Sequence, residues 1–264
     1  MNGLDPMRQV PLPKESAYLL VGNGKVSRHL QFYFTKKKIP YFIERFPRDL
    51  EKILASPEKK AWAKQTWAKC NRILMLVSDD AIEPLYQILR PEFSDEAAFI
   101  HCSGVKTIPG TFGAHPLMTF GESLYEESIY TQIPFIFSSQ EVKSFSELFP
   151  SLQNPAFSIR MEQRALYHAS CVAAGNFPML IWRDIFGILE KDLSLPKEAT
   201  KLYLEQCLKN SLQNPTKNLT GPFVRGDYAT IELHEKALSG KTFLKLYQNF
   251  AEWIRNRGNH ASDT

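Results

Sequence analysis

The feature that most constrains the fold is the stretch YLLVGNGKVSRHL, residues 18–30. Its first four residues form a continuous apolar run, which is typical of a strand buried on both faces. Gly22 and Gly24 follow at once. Beyond them, four apolar side chains recur at the spacing of one helix face: Val26, Leu30, Tyr33 and Phe34. The sequence therefore predicts a strand, a glycine turn and a helix in direct succession.

Short apolar runs alternate with helical segments as far as about residue 160. The runs predicted as further strands are 40–43, 72–77, 97–100, 111–114, 134–137 and 156–159. Ser78, Asp79 and Asp80 are predicted to cap a helix that runs to Leu89. Strands that alternate with helices indicate a parallel sheet. With a glycine turn after the first strand, this α/β pattern predicts a Rossmann-type doubly wound domain.

From about Met161 the pattern is helical throughout. A helix is predicted over about 162–182, broken near Gly175 and Pro178, and further helices at about 183–191, 197–211, 227–238 and 241–256. We therefore expect two domains, a Rossmann-like domain over residues 1–160 and an all-helical domain over residues 161–264.

Composition narrows the class of protein. Of 264 residues, 44% are apolar and 23% charged, as in ordinary soluble domains. The net charge of +4 is small and dispersed, which argues against nucleic-acid binding but suits small anionic ligands. The four cysteines lack zinc-type spacing, so free thiols and no metal site are expected. Without a signal-like N-terminus or an uninterrupted apolar run of about 20 residues, no membrane contact and a cytoplasmic location are expected.

The glycine turn predicts a dinucleotide site. Gly22 permits the tight turn, Gly24 lets the backbone approach a pyrophosphate, and small Ser27 stands where a third glycine is usual. The following helix would present its N-terminus to the phosphates. The residues predicted to bind the cofactor here are Gly22, Asn23, Gly24, Lys25 and Val26. The alternative is a strand–turn–helix without a ligand.

The end of the second predicted strand distinguishes the two nicotinamide cofactors. An acidic side chain such as Glu44 would bind the ribose 2′-hydroxyl of NAD. Arg45 and Arg48 are placed to bind the 2′-phosphate of NADP. NADP is therefore preferred over NAD, although the two arginines would also suit a solvated loop.

Four longer motifs carry a family resemblance: HCSGVK at 101–106, GAHPLMTF at 113–120, RALYH at 164–168 and LTGPFVRGD at 219–227. Together with the glycine turn they resemble a bacterial family with a Rossmann-like domain followed by a helical domain of unknown function, number 2520. The resemblance extends over about residues 17–238. Members of that family are described as predicted NADP-dependent oxidoreductases. The resemblance therefore implies an enzyme related to ketopantoate reductase, pyrroline-carboxylate reductase and prephenate dehydrogenase. It also implies an all-α domain like the C-terminal domain of 6-phosphogluconate dehydrogenase, and a homodimer.

Ser103 and His115 both follow predicted strands, where ligands bind in open α/β sheets. Prephenate dehydrogenases have a similar pair, which implies that His115 exchanges a proton with the substrate while hydride moves. An imidazole near its unperturbed pKa of about 6.5 suits that role, with Ser103 orienting it by a hydrogen bond. Alternatively, His115 and Pro116 only form a turn. By analogy with related folds, Val77, Ser78 and His101 are expected beside the nicotinamide.

The helical half supplies the predicted substrate contacts. His168 and Asn176 lie eight residues apart, about 80° around and ~12 Å along an ideal helix, so they would grip different parts of one ligand. Pro178 predicts a kink beside a buried Asn176 amide. Both polar groups would equally suit a helical interface. Arg225 is a candidate for a substrate carboxylate or phosphate, or for a structural salt bridge, and Asp227 for a helix N-cap.

The sequence as a whole predicts an NADP-dependent oxidoreductase that transfers hydride to or from a small carbonyl, imine or hydroxy compound bearing a carboxylate. The alternatives are a non-catalytic nucleotide-binding regulator or scaffold, and a protein whose Rossmann domain has lost its ligand. The remaining histidines His29, His234 and His260 show no chemical pattern and are expected at the surface.

Overall fold

The computed structural model describes residues 17–46, 48–138 and 144–258, without the side chains of residues 48, 49, 51, 257 and 258. The chain divides into two compact units, with the boundary in the sequence between Val172 and Ala173. The sequence pattern changes earlier, near residue 160, because the first turns of the helical region pack on strands of the first unit.

The first unit contains a five-stranded parallel sheet, which confirms the predicted Rossmann-type architecture. The strand order is β2-β1-β3-β4-β5. The strands are β1 (Ala17–Val21), β2 (Tyr41–Glu44), β3 (Cys70–Met75), β4 (Ala98–His101) and β5 (Thr111–Gly113). Because β2 and β3 lie on opposite sides of β1, the direction of winding changes at β1. The crevice beyond the carboxyl ends of β1 and β3 is therefore the topological switch point where such sheets bind ligands.

Six α-helices accompany the sheets in the described residues of the first unit before residue 160. They are α1 (Lys25–Lys36), α2 (Arg48–Leu54), α3 (Pro57–Trp67), α4 (Asp79–Leu89), α5 (Glu127–Tyr130) and α6 (Phe145–Leu148). The sheet has an apolar core on each face: Leu20 of β1 belongs to one, and Leu19 and Val21 to the other. Burial on both faces is the physical reason that the strands appear as continuous apolar runs.

A second, smaller sheet follows in the chain. It contains β6 (His115–Pro116), β7 (Phe135–Ser138) and β8 (Ala156–Ile159), in the order β6-β7-β8. Strand β6 is antiparallel to β7, with His115 opposite Ile136. A two-residue strand carries no periodicity, so the sequence did not predict β6. Its pairing fixes the backbone of His115.

The expectation that His29 lies at the surface is wrong. Its side chain is 1% exposed, and Nδ1 lies 2.7 Å from the hydroxyl of Tyr130 while Nε2 lies 3.1 Å from the carbonyl of Gly121. His29 directly precedes Leu30 on the buried face of α1, which explains its position. His234 is exposed as expected, with Nδ1 2.7 Å from the hydroxyl of Tyr247. His260 lies outside the described residues.

The described residues after β8 are mostly helical, which confirms the predicted helical C-terminal region. The chain forms α7 (Arg164–Cys171), a π-helical segment (Val172–Asn176), α8 (Phe177–Asp192), α9 (Lys201–Gln213), α10 (Pro215–Asn218), α11 (Pro222–Arg225), α12 (Tyr228–Ala237) and α13 (Phe243–Gly258). The carboxylate of Asp227 accepts the Thr230 backbone N–H at 3.1 Å, so Asp227 is the predicted N-cap of α12.

The predicted break near Gly175 and Pro178 is wrong, because the helix is continuous from Met161 to Asp192. The chain widens into a π-helix at Val172–Asn176, and Pro178 is the second residue of α8. A wide turn of this kind accommodates proline, which has no backbone N–H to donate to the preceding turn. By length and composition, this one helix of the described chain is also apolar enough to cross a membrane, a test that core helices of soluble proteins pass as well.

Candidate functional site

A cavity of about 750 Å³ lies at the switch point, beyond the carboxyl ends of β1 and β3. The structure brings together there most of the residues predicted to bind the cofactor: Gly22, Asn23, Gly24, Lys25, Val26, Val77 and Ser78. Ser103 also borders the cavity. Five further lining residues were not predicted from the sequence: Phe46, Leu76, Asp79, Ala81 and Cys102. Their signal was their position, since each lies within six residues of the end of a parallel strand.

The two glycines of the turn are required for different reasons. Gly22 has a φ of +130°, and a Cβ there would lie 2.2 Å from the carbonyl oxygen of Leu76. The protein itself therefore demands glycine at position 22. At Gly24, apart from the adjoining backbone, no atom of the described residues lies within 4 Å of the place that a Cβ would take. Gly24 lines the cavity, so the space kept clear there is space for a ligand.

Ser27 replaces the third glycine of the pattern and is fully buried. Its hydroxyl donates a hydrogen bond of 2.8 Å to the carbonyl oxygen of Gly22 and accepts one of 2.9 Å from the side chain of Gln31. The serine thus ties helix α1 to the turn that precedes it. The departure from glycine adds a hydrogen bond and leaves the close packing intact.

Two helices begin at the cavity. Gly24 is the N-cap of α1 and Ser78 the N-cap of α4, and neither supplies a side-chain capping bond. The capping predicted for the Ser78 hydroxyl is therefore absent. Helix N-termini carry free N–H groups and partial positive charge, which favour bound anions. The open space at Gly24 and the two uncapped helix starts fit the pyrophosphate of a dinucleotide.

The acidic and basic side chains at the end of β2 differ in their surroundings. The carboxylate of Glu44 accepts a hydrogen bond of 3.3 Å from the indole of Trp67, a residue 1% exposed at the end of α3. Arg45 is exposed. Arg48 is the first residue of α2, and its side chain lies outside the described part of the structure. Glu44 therefore has a partner within the protein, while Arg45 faces solvent.

His101 ends β4 with its side chain 1% exposed, and it is not among the residues that line the cavity. Its Nδ1 accepts the backbone N–H of Ser103 at 3.3 Å. The Ser103 hydroxyl in turn accepts the N–H groups of Val105 and Lys106, at 3.2 and 3.0 Å. Burial, together with the charge of Arg164, lowers the pKa of His101 to about 4. A neutral His101 and Ser103 thus shape the turn after β4.

His115 is oriented by Tyr167, and the predicted hydrogen bond from Ser103 is absent from the described residues. The Nδ1 atom of His115 lies 2.6 Å from the hydroxyl of Tyr167. Burial lowers the pKa of His115 to about 4, with further lowering by His168 and Arg164 and a smaller opposing effect of Asp79. The expectation of an unperturbed imidazole is therefore wrong, and His115 is neutral at pH 7.

One face of α7 organises this region. Arg164, Tyr167, His168 and Cys171 follow at i, i+3, i+4 and i+7, so their side chains share that face. The Arg164 side chain is 2% exposed and donates hydrogen bonds of 2.6 Å to the carbonyl oxygen of Ser103 and 3.3 Å to the hydroxyl of Ser138. The motif RALYH contains Arg164 and Tyr167, but its sequence pattern predicted no role for either residue.

His168 connects two of the sequence motifs. A Cβ at Gly104 would lie 2.3 Å from the His168 ring, so the ring packs directly on the backbone of the turn after β4. The ring centroids of His168 and His115 are 5.8 Å apart, edge to face. Gly113 has a corresponding function, because a Cβ there would lie 2.9 Å from the Arg164 guanidinium. The glycines of both motifs make room for side chains of α7.

Two predicted substrate residues belong to the second unit. Asn176 is exposed at the end of the π-helical segment, so the expectation of a buried amide is wrong. Arg225 is exposed at the end of α11, and no salt bridge to it occurs among the described residues. Nor, within that part of the chain, do three His, Cys, Asp or Glu side chains come together as metal ligands.

Residues 134–254 match the model of a family described as a domain of unknown function, DUF2520. The matched segment spans less than half of the chain. The match confirms the resemblance drawn from the sequence motifs. The match begins just before β7 and includes all of α7, so Arg164, Tyr167 and His168 lie within the matched segment, whereas His115 precedes it. A comparison with curated proteins found no match.

Several solved structures have the same fold, and they match nearly the whole chain. A predicted NADP oxidoreductase, BF3122 of Bacteroides fragilis, is 18% identical with a TM-score of 0.74 and covers 92% of this chain and 98% of its own. TM1727 of Thermotoga maritima is 19% identical with a TM-score of 0.61, over 90% and 97%. A reductive aminase of Aspergillus terreus, solved with NADPH and ethyl levulinate, is 11% identical with a TM-score of 0.60, over 93% and 95%. At these identities the comparisons establish the Rossmann-plus-helical fold.

Proposed function

We propose that this protein is an NADP-dependent oxidoreductase acting on a small carbonyl, imine or hydroxy compound. The observation that carries the proposal is the cavity at the switch point, where Gly24 keeps the protein clear of the ligand space and two uncapped helices begin. The predicted NADP oxidoreductase and the reductive aminase named above share this fold, which supports the reaction class.

NADP is the proposed cofactor because of the side chains after β2. Glu44, which would bind the ribose 2′-hydroxyl of NAD, shares a hydrogen bond with Trp67. Arg45 is exposed and available to pair with a 2′-phosphate, with Arg48 beside it in the sequence. When bound, the cofactor would supply or accept the hydride.

The substrate would be bound by His115 and His168, whose rings are in contact at the edge of the first unit's strands. A neutral imidazole can polarise a carbonyl oxygen by donating a hydrogen bond from its N–H group. A charged imidazolium would instead act by transferring its proton to that oxygen. Ser103 would act through the turn that it shapes. Asn176 and Arg225 stay predictions for the substrate side, Arg225 for a carboxylate.

A thermal-shift titration tests the cofactor assignment, since a ligand of the native state raises the melting temperature. We expect NADPH to stabilise the protein at lower concentration than NADH. Arg45→Ala should weaken NADPH binding about 10- to 100-fold and leave NADH binding unchanged, because it removes a charged hydrogen bond to the 2′-phosphate alone.

Lys36→Ala is the matched control, because it removes an exposed positive charge at the opposite end of α1 from the glycine turn. An equal loss of both cofactors in Arg45→Ala would contradict the 2′-phosphate contact. No stabilisation by either cofactor at millimolar concentration would contradict the proposed function. Tight NADPH binding without turnover of any small carbonyl compound would favour a regulator.

We also propose that the protein is a homodimer, with the second unit as the contact surface. Helices α8 and α9 contain no buried residue. Among the described residues of this unit, the buried apolar side chains are Ile231 and Ala251. A helical domain needs a larger apolar core than this, and a second copy would supply it. A cytoplasmic location stays a prediction from composition.

A further inference from the structure

The imidazole of His115 is held at one nitrogen. Its Nδ1 meets the Tyr167 hydroxyl at 2.6 Å, and no other hydrogen bond to this ring occurs among the described residues. The titratable and charged groups that face the ring are Tyr167, His168 and Arg164 from α7 and Asp79 from the start of α4. We propose that Tyr167 is a positioning residue: its hydroxyl donates to Nδ1 of His115 and thereby fixes Nε2–H as the atom offered to the substrate.

The chemistry of the pair sets the direction of the hydrogen bond. Burial and the neighbouring Cys171 thiol raise the pKa of the Tyr167 hydroxyl, so the phenol keeps its proton at neutral pH. The lone pair of a neutral imidazole is a stronger acceptor than a phenol oxygen, whose electrons are shared with its ring. The O–H therefore donates to Nδ1, and the ring proton of His115 lies on Nε2.

The backbone that carries Tyr167 is fixed on both sides of it. Arg164, one helical turn earlier, is hydrogen-bonded to Ser103 and Ser138, and His168, the next residue, packs on Gly104. The aromatic rings of Tyr167 and His115 meet edge to face, with centroids 5.5 Å apart. Tyr167 thus has little freedom to leave His115, as a positioning role requires.

The consequence for the reaction is specific. His115 would act as a neutral hydrogen-bond donor that polarises a substrate oxygen through Nε2–H, and not as an imidazolium acid. This inference rests on the proposed function only for its catalytic meaning. The tautomer of His115 is a property of the protein without cofactor or substrate, so the two are tested separately.

Nitrogen-15 NMR of the histidine-labelled full chain measures the tautomer directly at pH 7. The chain has six histidines, and His115→Gln identifies the signals of His115. We expect a protonated Nε2 and an unprotonated Nδ1 in the wild type. In Tyr167→Phe the ratio of the Nε2–H to the Nδ1–H tautomer should fall about 3- to 10-fold, the effect of one hydrogen bond.

Tyr247→Phe is the matched control, because Tyr247 makes the same contact with His234, at 2.7 Å, in the second unit. It should change the His234 signals and leave those of His115 unchanged. A wild-type His115 protonated at Nδ1 would overturn the proposal. So would a folded Tyr167→Phe with unchanged His115 signals. If Tyr167→Phe does not fold, the wild-type tautomer alone decides. Absence of NADPH binding would contradict the proposed function and leave this result intact.

Discussion

At the scale of single residues, Gly22 and Gly24 separate the needs of the fold from those of a ligand. Gly22→Ala should lower the free energy of unfolding by about 2 kcal/mol or more, because both its φ and the nearby Leu76 carbonyl exclude a Cβ. Gly24→Ala should change stability by less than about 0.5 kcal/mol, because its surroundings are open. Chemical denaturation measures both.

The same pair also tests the cavity as a binding site. NADPH affinity in Gly24→Ala should fall about tenfold or more, because the new methyl group would take space that the pyrophosphate needs. A folded Gly24→Ala that binds NADPH as well as the wild type would show that the ligand does not approach this residue.

Two histidines make stability depend on pH. In the unfolded chain histidine has a pKa of about 6.5, whereas His101 and His115 titrate near 4 in the folded protein. Between these values the unfolded state binds protons that the folded state does not, so the free energy of unfolding should fall as the pH drops from 6.5 to 4. Above pH 6.5 the two groups have no effect.

Melting temperatures measured from pH 7.5 to 4 check this dependence. His101→Gln and His115→Gln should each reduce the slope between pH 6.5 and 4. His234→Gln, on the exposed surface of α12, is the control. A slope that persists unchanged in both variants would assign the acid sensitivity to other groups.

Residue roles were predictable only where they depend on neighbours in the sequence. The function of Gly22 followed from its place after a strand, and the capping role of Asp227 followed from its place before a helix. The partner of His115 did not, because Tyr167 lies 52 residues further along the chain. The low pKa of His115 and the burial of His29 likewise result from tertiary packing. Composition and residue spacing carry no information about that packing.

At the scale of elements, α7 joins the loops at the ends of the strands. Gly104→Ala should destabilise the protein by about 1–3 kcal/mol, because the new Cβ would overlap the His168 ring. In a His168→Ala background the same substitution should cost much less, since the overlapping ring is gone. A double-mutant cycle of unfolding free energies measures this coupling, and additive effects would contradict the contact.

Element prediction succeeded where burial imposes a pattern. Strands β1, β3 and β4 are covered on both faces, so their continuous apolar runs identified them. Strand β6 has two residues and no such pattern. The π-helical segment shares the residue types of an α-helix, so the sequence placed a break where the helix only widens.

At the scale of the whole molecule, the apolar surface of the second unit predicts association. Leu212 on α9 is 79% exposed, and a glutamate there would leave a charge buried in the proposed dimer. Light scattering should show a dimer for the wild type and a weakened dimer for Leu212→Glu. Trp62→Glu, on α3 of the first unit and 68% exposed in the wild type, should leave the mass unchanged. A monomeric wild type would contradict the proposal.

The hydrogen bond from Ser27 to Gly22 also bears on the kinetics of binding. Because the serine holds the glycine turn in place, a ligand would meet a loop that is already ordered. The conformational entropy that flexible loops lose on binding is then largely lost during folding instead. Association would be limited by encounter and orientation, and changes in affinity among cavity variants would lie mainly in the dissociation rate. Ser27, which departs from the glycine pattern, would thus make the ligand-binding loop more rigid.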